Sequence, residues 1–473
     1  MERLSAMDAA FVSGETAAWH MHAGALIILD PGDAPEGFGV ESFRALLRAR
    51  TPALGVFRRR ILEVPFGLDV PIWVTDPTVD IEAHVRAVGV PAPGGSRELG
   101  RLVGELFSSK LDRSRPLWEI WFIEGLPDGR VALLAKVHHS LVDGVGGARL
   151  YEVLFDLEPD APLQLSTPVA DSDDDAPPSD LELVAGALWR LAGTPVRAAK
   201  TTWRLAHTLL PLLRSRYGDD DTNPPLPFQA PRTSLNHAIT ARRELAYTDV
   251  SLADVKAVKN ALNVTVNDVV LAGCAGGLRR YLTARDELPD APLVAQVPVA
   301  VQPVEGEEAA VGNHVAVMGA SLPTNLGDPI ERVHEVAAST RSAKRLQRDL
   351  GDDVIMRLAE STPPGLLAAG VRSYARLRLT EFHPPVFNLI VSNVRGPDLP
   401  LYTAGARLEA TYPMGPLLDG GGLNLTVMSS AESLHLGFLV CPDVVADPWE
   451  LTSHTEAAFE ELRDAVPVQS VTA

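Results

Sequence analysis

The chain has 473 residues, 46% of them hydrophobic and 22% charged, with a formal net charge of −19 at pH 7. That length exceeds one ordinary core, so two domains are expected, and the acidic balance argues against a nucleic-acid partner and against general adhesion to anionic membrane. Cys274 and Cys441 stand far apart, outside any CxxC or Cys/His cluster, and read as reduced thiols of a cytoplasmic protein. The first residues lack the basic-then-apolar pattern of a signal peptide, and no uninterrupted apolar run of about 18 residues marks a membrane span.

In chain order, Leu4–Phe11 reads as a short helix or turn leading into an apolar strand over Met21–Leu29. His20 and His22 are spaced to share a strand face, but with no third ligand nearby no metal is expected. An amphipathic helix is predicted over 41–54, strands over 70–74 and 80–86, and a helix over 97–109. Residues 118–124 and 131–138 form two strands joined by a turn around Pro127-Asp128-Gly129. His138 and His139 follow at the exit of the second strand, where neighbouring side chains point to opposite faces, so the two cannot look into one cavity. His139 shares the parity of Val131, Leu133, Ala135 and Val137 and reads as facing an apolar interior, where an imidazole stays neutral and suits a general base. His138 shares the parity of Lys136. For a His-His dipeptide by itself the commoner reading is a buried structural pair followed by an Asp143-Gly144 turn.

A helix with Leu150, Val153, Leu154 and Leu157 on one face comes next. Residues 159–180, with repeated Pro and the run Asp171-Ser172-Asp173-Asp174-Asp175, cannot bury a core. From 181 to 216 the composition turns basic, with Arg190, Arg197, Arg204 and Arg214 among Trp189, Trp203, Leu and Ala. Such a helix suits a lipid interface, or packing between domains. The division expected is an N-terminal domain 1–158, a linker 159–233 and a C-terminal domain 234–473. Within the last, a strand at 243–247 and a helix at 252–262 precede Thr265 and Asp268, spaced as a capping box for an apolar helix. A cap leaves Asn267 unexplained. Buried strands over 293–301 and 314–322, a helix from Pro329 to Leu350, mixed helix over 353–378, strands over 386–394, 423–428 and 434–440, and a last helix opened by Asp447-Pro448 complete the chain. No Walker loop or GxGxxG follows a strand, so nucleotide hydrolysis and nicotinamide chemistry lack support.

The spacing His138-His139-Ser140-Leu141-Val142-Asp143-Gly144, His-His-x-x-x-Asp-Gly, resembles the signature of the chloramphenicol acetyltransferase-like and condensation-domain superfamily. Together with Asp112-Arg113-Ser114-Arg115-Pro116-Leu117-Trp118-Glu119, the opening Leu4-Ser5-Ala6-Met7-Asp8, Ser234-Leu235-Asn236, Asn267-Asp268 and Gly312-Asn313, it is similar to the bacterial wax ester synthase/diacylglycerol acyltransferase family over about residues 4–465. Ala6 and Arg395 stand where that family usually has Pro. The resemblance implies an α/β protein of two chloramphenicol acetyltransferase-like domains, each a mixed sheet with helices, and an active-site tunnel at their interface. It implies an acyl-CoA-dependent O-acyltransferase making wax esters or triacylglycerol from long-chain alcohols or diacylglycerol, with acyl-CoA as co-substrate and no permanently bound cofactor or metal.

In that reading His139 is the base, Asp143 shapes the turn that Gly144 relieves, and Asn267 or a backbone N–H holds the oxyanion, while His138 and Asp268 are structural. His84 has no catalytic role. Arg58-Arg59-Arg60 would meet CoA phosphates or form a solvated face, Arg395 would meet a phosphate or Asp143, and 181–216 would touch membrane or a lipid droplet peripherally. The alternatives are a condensation-type enzyme with another acceptor or a carrier-protein thioester, and a non-catalytic lipid-binding relative.

Overall fold

A computed structural model of the chain describes residues 2–53, 55–141, 151, 153–161, 178–192, 225, 227–300, 315–350 and 364–466. Its strands are β1 (Glu2–Arg3), β2 (His22–Asp30), β3 (Arg59–Leu62), β4 (Ile72–Thr75), β5 (Val85–Gly89), β6 (Trp118–Glu124), β7 (Val131–His138), β8 (Glu244–Ser251), β9 (Leu293–Ala300), β10 (Val315–Leu322), β11 (Leu389–Arg395), β12 (Tyr402–Thr403), β13 (Ala406–Met414), β14 (Leu423–Ser429) and β15 (Ser433–Val440). The helices are α1 (Ala6–Gly14), α2 (Val40–Arg50), α3 (Ile81–His84), α4 (Ser96–Phe107), α5 (Asp180–Ala192), α6 (Leu252–Leu262), α7 (Val266–Thr283), α8 (Pro329–Leu350), α9 (Pro364–Arg376) and α10 (Pro448–Ala465). Two six-stranded mixed sheets, ordered β12-β13-β2-β7-β6-β5 and β10-β9-β11-β14-β15-β8, carry the fold beside a small sheet β1-β4-β3.

The central strand β7 is buried at every position, because its run VALLAKVH offers apolar groups to both faces. Val131, Leu133, Ala135 and Val137 pack with Phe43, Leu46 and Leu47 of α2. Ala132 and Leu134 face the other way, onto Leu99, Leu102, Val103 and Phe107 of α4. Those four helical positions form one stripe, and Gly100 and Gly104 lie beside it. A Cβ on Gly100 would come 2.2 Å from the Leu245 carbonyl oxygen, and one on Gly104 2.2 Å from that of Arg243. Helix α4 is therefore wedged between the first large sheet and the edge strand of the second, its backbone against the backbone around β8. The sheets also meet directly: a Cβ on Gly437 of β15 would lie 2.1 Å from the Pro413 carbonyl oxygen of β13. β13 comes late in the chain yet pairs with β2, Met414 opposite Gly24 through Arg407 opposite Asp30.

Several local expectations shift. Where alternation predicts a strand over 80–86, the Asp80 side chain accepts from Ala83 N–H at 3.2 Å and starts the single turn α3, so β5 begins only at Val85. α2 stops at Arg50 rather than 54, just ahead of Pro52, and β4 starts at Ile72, after Pro71. The Pro127–Gly129 turn is tight, with Asp128 at φ 61° and Gly129 at φ 74°. The acidic run 171–175, Gly312-Asn313 and residues 353–363 lie outside the described residues.

Because α4 touches backbone at its glycines, Gly104→Ala is expected to lower stability by about 1–3 kcal/mol through overpacking. Gly14→Ala is the control, since a Cβ there meets nothing within 4 Å. Urea unfolding midpoints measure both; equal midpoints for Gly104→Ala and wild type would show that α4 and β8 do not pack this closely.

Candidate active site

β7 delivers Lys136 and His138 to the α4 side of its sheet. Lys136 is wholly buried, yet its Nζ donates to the Leu106 carbonyl at 3.1 Å, to that of Ser109, and to Glu119 Oε1 at 2.8 Å. Burial lowers its pKa against the pull of Glu119. The ammonium thus sits on the carboxyl end of α4, where the helix dipole favours a cation. Opposite it on β2 stands Gly24, where a Cβ would come 2.8 Å from the Phe107 ring.

The two histidines are held differently. The Ser140 amide donates to His138 Nδ1 at 3.1 Å and Ser140 Oγ lies 2.7 Å from the same atom, so Nδ1 is the acceptor and the proton belongs on Nε2. That Nε2 faces Glu15 Oε1 at 3.5 Å. Glu15 Oε2 in turn takes a hydrogen bond from Arg113 at 2.6 Å. Burial would raise the Glu15 pKa, but His138 and Arg113 outweigh it and hold the carboxylate below its usual range. Arg113 also donates to the Val12 carbonyl and to Glu63, both at 2.7 Å, fastening the end of α1.

His139 leaves the strand on the opposite side. Its amide donates to the Met21 carbonyl at 2.9 Å, and its ring lies 4.7 Å from that of Phe11 on α1, tilted by 58°. Protein surrounds the imidazole closely and leaves a partly exposed edge. Burial, with His138 adding to it, lowers the pKa to about 4, so the ring is neutral at pH 7, the form that accepts a proton.

The neighbouring groups are scaffolding by geometry. His84 stacks on Trp118 at 4.3 Å and donates to the Trp118 carbonyl at 2.6 Å, while Trp118 Nε1 donates to the Phe57 carbonyl at 2.8 Å. His22 pairs across the ladder with His138, and its ring lies 5.4 Å from that of His20. Burial lowers both pKa values, that of His20 to about 4. Among the described residues no three His, Cys, Asp or Glu side chains are grouped to hold a metal ion.

In the other half, Thr265 Oγ1 accepts from the Asp268 amide while Asp268 Oδ2 accepts from the Thr265 amide at 3.0 Å, a reciprocal cap at the start of α7. Asp268 Oδ1 also accepts from Thr340 Oγ1 at 2.7 Å, tying α7 to α8. Asn267 sits half-buried in the first turn of α7, its side chain without a hydrogen bond to another described residue. Arg395 pairs with Asp398 at 2.5 Å in solvent. Asp143 and Gly144 lie outside the described residues. The roles of Glu15 and Arg113 were hidden in the sequence because about a hundred residues separate them; Arg113 was visible only as a member of its motif.

Cavities lie among the described residues. One of about 250 Å³ between β8, α6 and α10 holds none of the motif residues. Another, about 170 Å³, is lined by Trp19, Val371, Tyr374, Ala375 and Phe387 among others, and so lies between the segment after α1 and helix α9.

The family model for the wax ester synthase/diacylglycerol acyltransferase catalytic domain matches residues 4–270, and that for the WS/DGAT C-terminal domain matches 311–463. Rv1760 of Mycobacterium tuberculosis H37Rv, provisionally named a diacylglycerol O-acyltransferase, is 38% identical over 464 residues, 98% of this chain and 90% of its own length. The tgs2 protein of the same organism, with the same provisional naming, is 35% identical over 472 residues, 99% of this chain and 100% of its own. Among solved structures, the wax ester synthase/diacylglycerol acyltransferase from Marinobacter aquaeolei VT8 superposes with a TM-score of 0.68 at 30% identity, covering 98% of both chains. The starter condensation domain of rhizomide synthetase, in complex with C8-CoA and Leu-SNAC, reaches 0.54 at 15% identity, covering 100% of this chain and 96% of its own, a likeness of fold. The architecture is thus the two-domain chloramphenicol acetyltransferase type.

The depressed His139 pKa sets a stability trend. The folded ring titrates near 4 and the unfolded one near 6.5, so the unfolded chain binds more protons between those values and stability falls as pH drops through that window. His139→Gln cannot be protonated. Its unfolding free energy is expected to lose on the order of 2 kcal/mol less than wild type between pH 7 and pH 5, at ~1.4 kcal/mol per pH unit. Denaturant titrations at both pH values read this directly; parallel losses would mean the ring is not held neutral.

Proposed function

The chain belongs to the wax ester synthase/diacylglycerol acyltransferase family and is an acyltransferase of that type, and on that footing we propose that it moves a long-chain acyl group from acyl-CoA to the hydroxyl of a long-chain alcohol or a diacylglycerol, with His139 as the general base. The neutral, largely enclosed imidazole of His139 beside Phe11 carries this assignment, because His138 has its Nδ1 engaged by Ser140 and turns its Nε2 toward the Glu15 carboxylate at 3.5 Å.

The hydroxyl proton passes to the His139 ring as its oxygen bonds to the thioester carbonyl carbon. The carbonyl becomes an oxyanion, held by Asn267 or a backbone N–H, and collapses by breaking the carbon–sulfur bond. The CoA thiolate leaves and takes the proton from the imidazolium. No acyl-enzyme forms. An apolar tunnel between domains would bury an acyl chain at about 0.8 kcal/mol per CH2. The domains of this reading are 1–158 and 234–473 joined through 159–233.

The same reading puts peripheral contact with membrane or a lipid droplet on 181–216, from the cytoplasmic side. Leu183 and Ala187 of α5 dock on Val64 and Ile72, while Leu181, Leu188 and Trp189 stand outside. Residues 193–216 lie outside the described residues. No single helix among the described residues is long and apolar enough to cross a membrane.

Purified protein given palmitoyl-CoA with hexadecanol or with a diacylglycerol is expected to form ester, and His139→Ala to lose at least ~100-fold in kcat. Asn267→Ala is expected to lose ~100-fold in kcat, about 3 kcal/mol, with KM little changed if its amide serves the oxyanion. Ester formation by His139→Ala at wild-type rates would remove the base from this residue, and no ester with either acceptor would point to the condensation-type alternative.

A further inference from the structure

Large apolar side chains in full solvent are scattered over most proteins, so their gathering on one element is the informative case. Here Leu366 at 66%, Leu377 at 61% and Phe382 at 81% exposure lie on α9 or just past its end. Phe66, at 92%, is held at the tip of the turn Pro65–Gly67, where Gly67 backs onto Gly365 of α9.

The outer face of α9 has a defined composition. Leu366, Gly370, Ser373 and Leu377 are exposed and recur at i, i+4, i+7 and i+11, one stripe along the helix. The ladder runs to its end, since Leu377 N–H donates to the Ser373 carbonyl at 2.9 Å. Arg372 and Arg376, both exposed, flank the stripe on one side. Arg378 follows, loosely paired with Glu381 at 3.7 Å. Between 364 and 380 there is no acidic residue, in a chain whose net charge is −19. Glu381, the nearest acid after it, is engaged by the Ala238 amide at 2.8 Å and by His237 at 3.1 Å.

The inner face of the same helix packs on α1 and lines the cavity of about 170 Å³ through Val371, Tyr374 and Ala375. Val386, at 39% exposure, belongs both to the cavity wall and to the surface of the molecule.

We propose that the outer face of α9, with Phe66 and Phe382 at its margins, docks on an anionic lipid–water interface, the arginines meeting headgroups and the apolar side chains entering the acyl boundary. Charge selects this occupant. A cationic, acid-free strip on an acidic molecule is complementary to an anionic surface, and a second copy of this acidic chain would bring its own strip of like sign against it. The outer face of α5 is the weaker anchor, because its first turn carries Asp180 and Glu182. The inference rests on the proposed acyl transfer but moves the lipid contact from 181–216 to α9, and its test reads binding without turnover.

The full chain is mixed with vesicles of phosphatidylcholine alone or with 30% phosphatidylglycerol, and the bound fraction is measured by flotation at low and high salt. Wild type is expected to bind the anionic vesicles at least tenfold more tightly, and to lose that preference in high salt. Arg372→Glu with Arg376→Glu, and separately Leu366→Ser with Leu377→Ser, are each expected to weaken binding at least tenfold while thermal unfolding and turnover of detergent-dispersed substrate stay at wild-type values. Leu188→Ser with Trp189→Ser on α5 is expected to change binding less than threefold.

Three results overturn the proposal: no preference for anionic vesicles, wild-type binding by both α9 double variants, or loss of binding confined to the α5 variant. A change of oligomeric state in the α9 variants, by sedimentation velocity and with vesicle binding intact, would assign the face to a second copy instead. Vesicle binding by a protein that makes no ester would leave this surface standing and remove the proposed function alone.

Discussion

A buried ammonium organises this molecule. Lys136 sits in the middle of the most enclosed strand, and its charge is tolerable only because Glu119 and the carbonyls of Leu106 and Ser109 surround it. Such a pair adds little net stability, since desolvation consumes most of the attraction, but removing one partner costs on the order of 3–5 kcal/mol. Its effect is positional. The lysine fixes the end of α4 on the sheet, α4 in turn lays Gly100 and Gly104 against the backbone leading into β8, and the two large sheets acquire one relative placement. Arg243 adds to the same junction, its guanidinium donating to the Ala18 carbonyl across the seam and its amide to Ser108 Oγ at 2.8 Å.

The division of labour between the two histidines follows from strand alternation. His138 falls on the Lys136 side, where α4, β2 and Glu15 enclose it, and its ring becomes part of the scaffold. His139 falls on the other side, where α1 supplies an aromatic neighbour, Phe11. Burial, with His138 adding to it, lowers its pKa and keeps the ring neutral. Arg113, Glu15 and His138 form a chain from the surface to the back of the motif, so the segment ahead of β2 and the segment ahead of β6 are tied to the same point.

What the sequence disclosed was local. Parity along 131–139, the reciprocal cap of Thr265 and Asp268, and the strand pair around Pro127-Asp128-Gly129 all depend on neighbours within a few residues, and they stand in the structure as read. The reading of 80–86 failed for the same reason: a local competitor, the Asp80 cap, acts over three residues and overrides alternation. Contacts between distant segments left no mark. Nothing in residues 402–414 announces that they pair with β2, and nothing in Glu15 announces His138. Asn267 shows the limit most sharply, since the sequence marked it by what a cap fails to explain, and its fold position adds no side-chain partner among the described residues.

The pairing of β13 with β2 has a consequence for how the chain is made. Synthesis runs from the first residue onward, and β2 with its row of Leu26, Ile27, Ile28 and Leu29 leaves the ribosome long before residues 406–414 exist. Until then one side of β2 is an open apolar edge, the kind of backbone that pairs with any strand at hand. The first sheet can close only when translation is nearly complete. A chain truncated before residue 406 would thus be left with a permanent sticky edge rather than a smaller working domain.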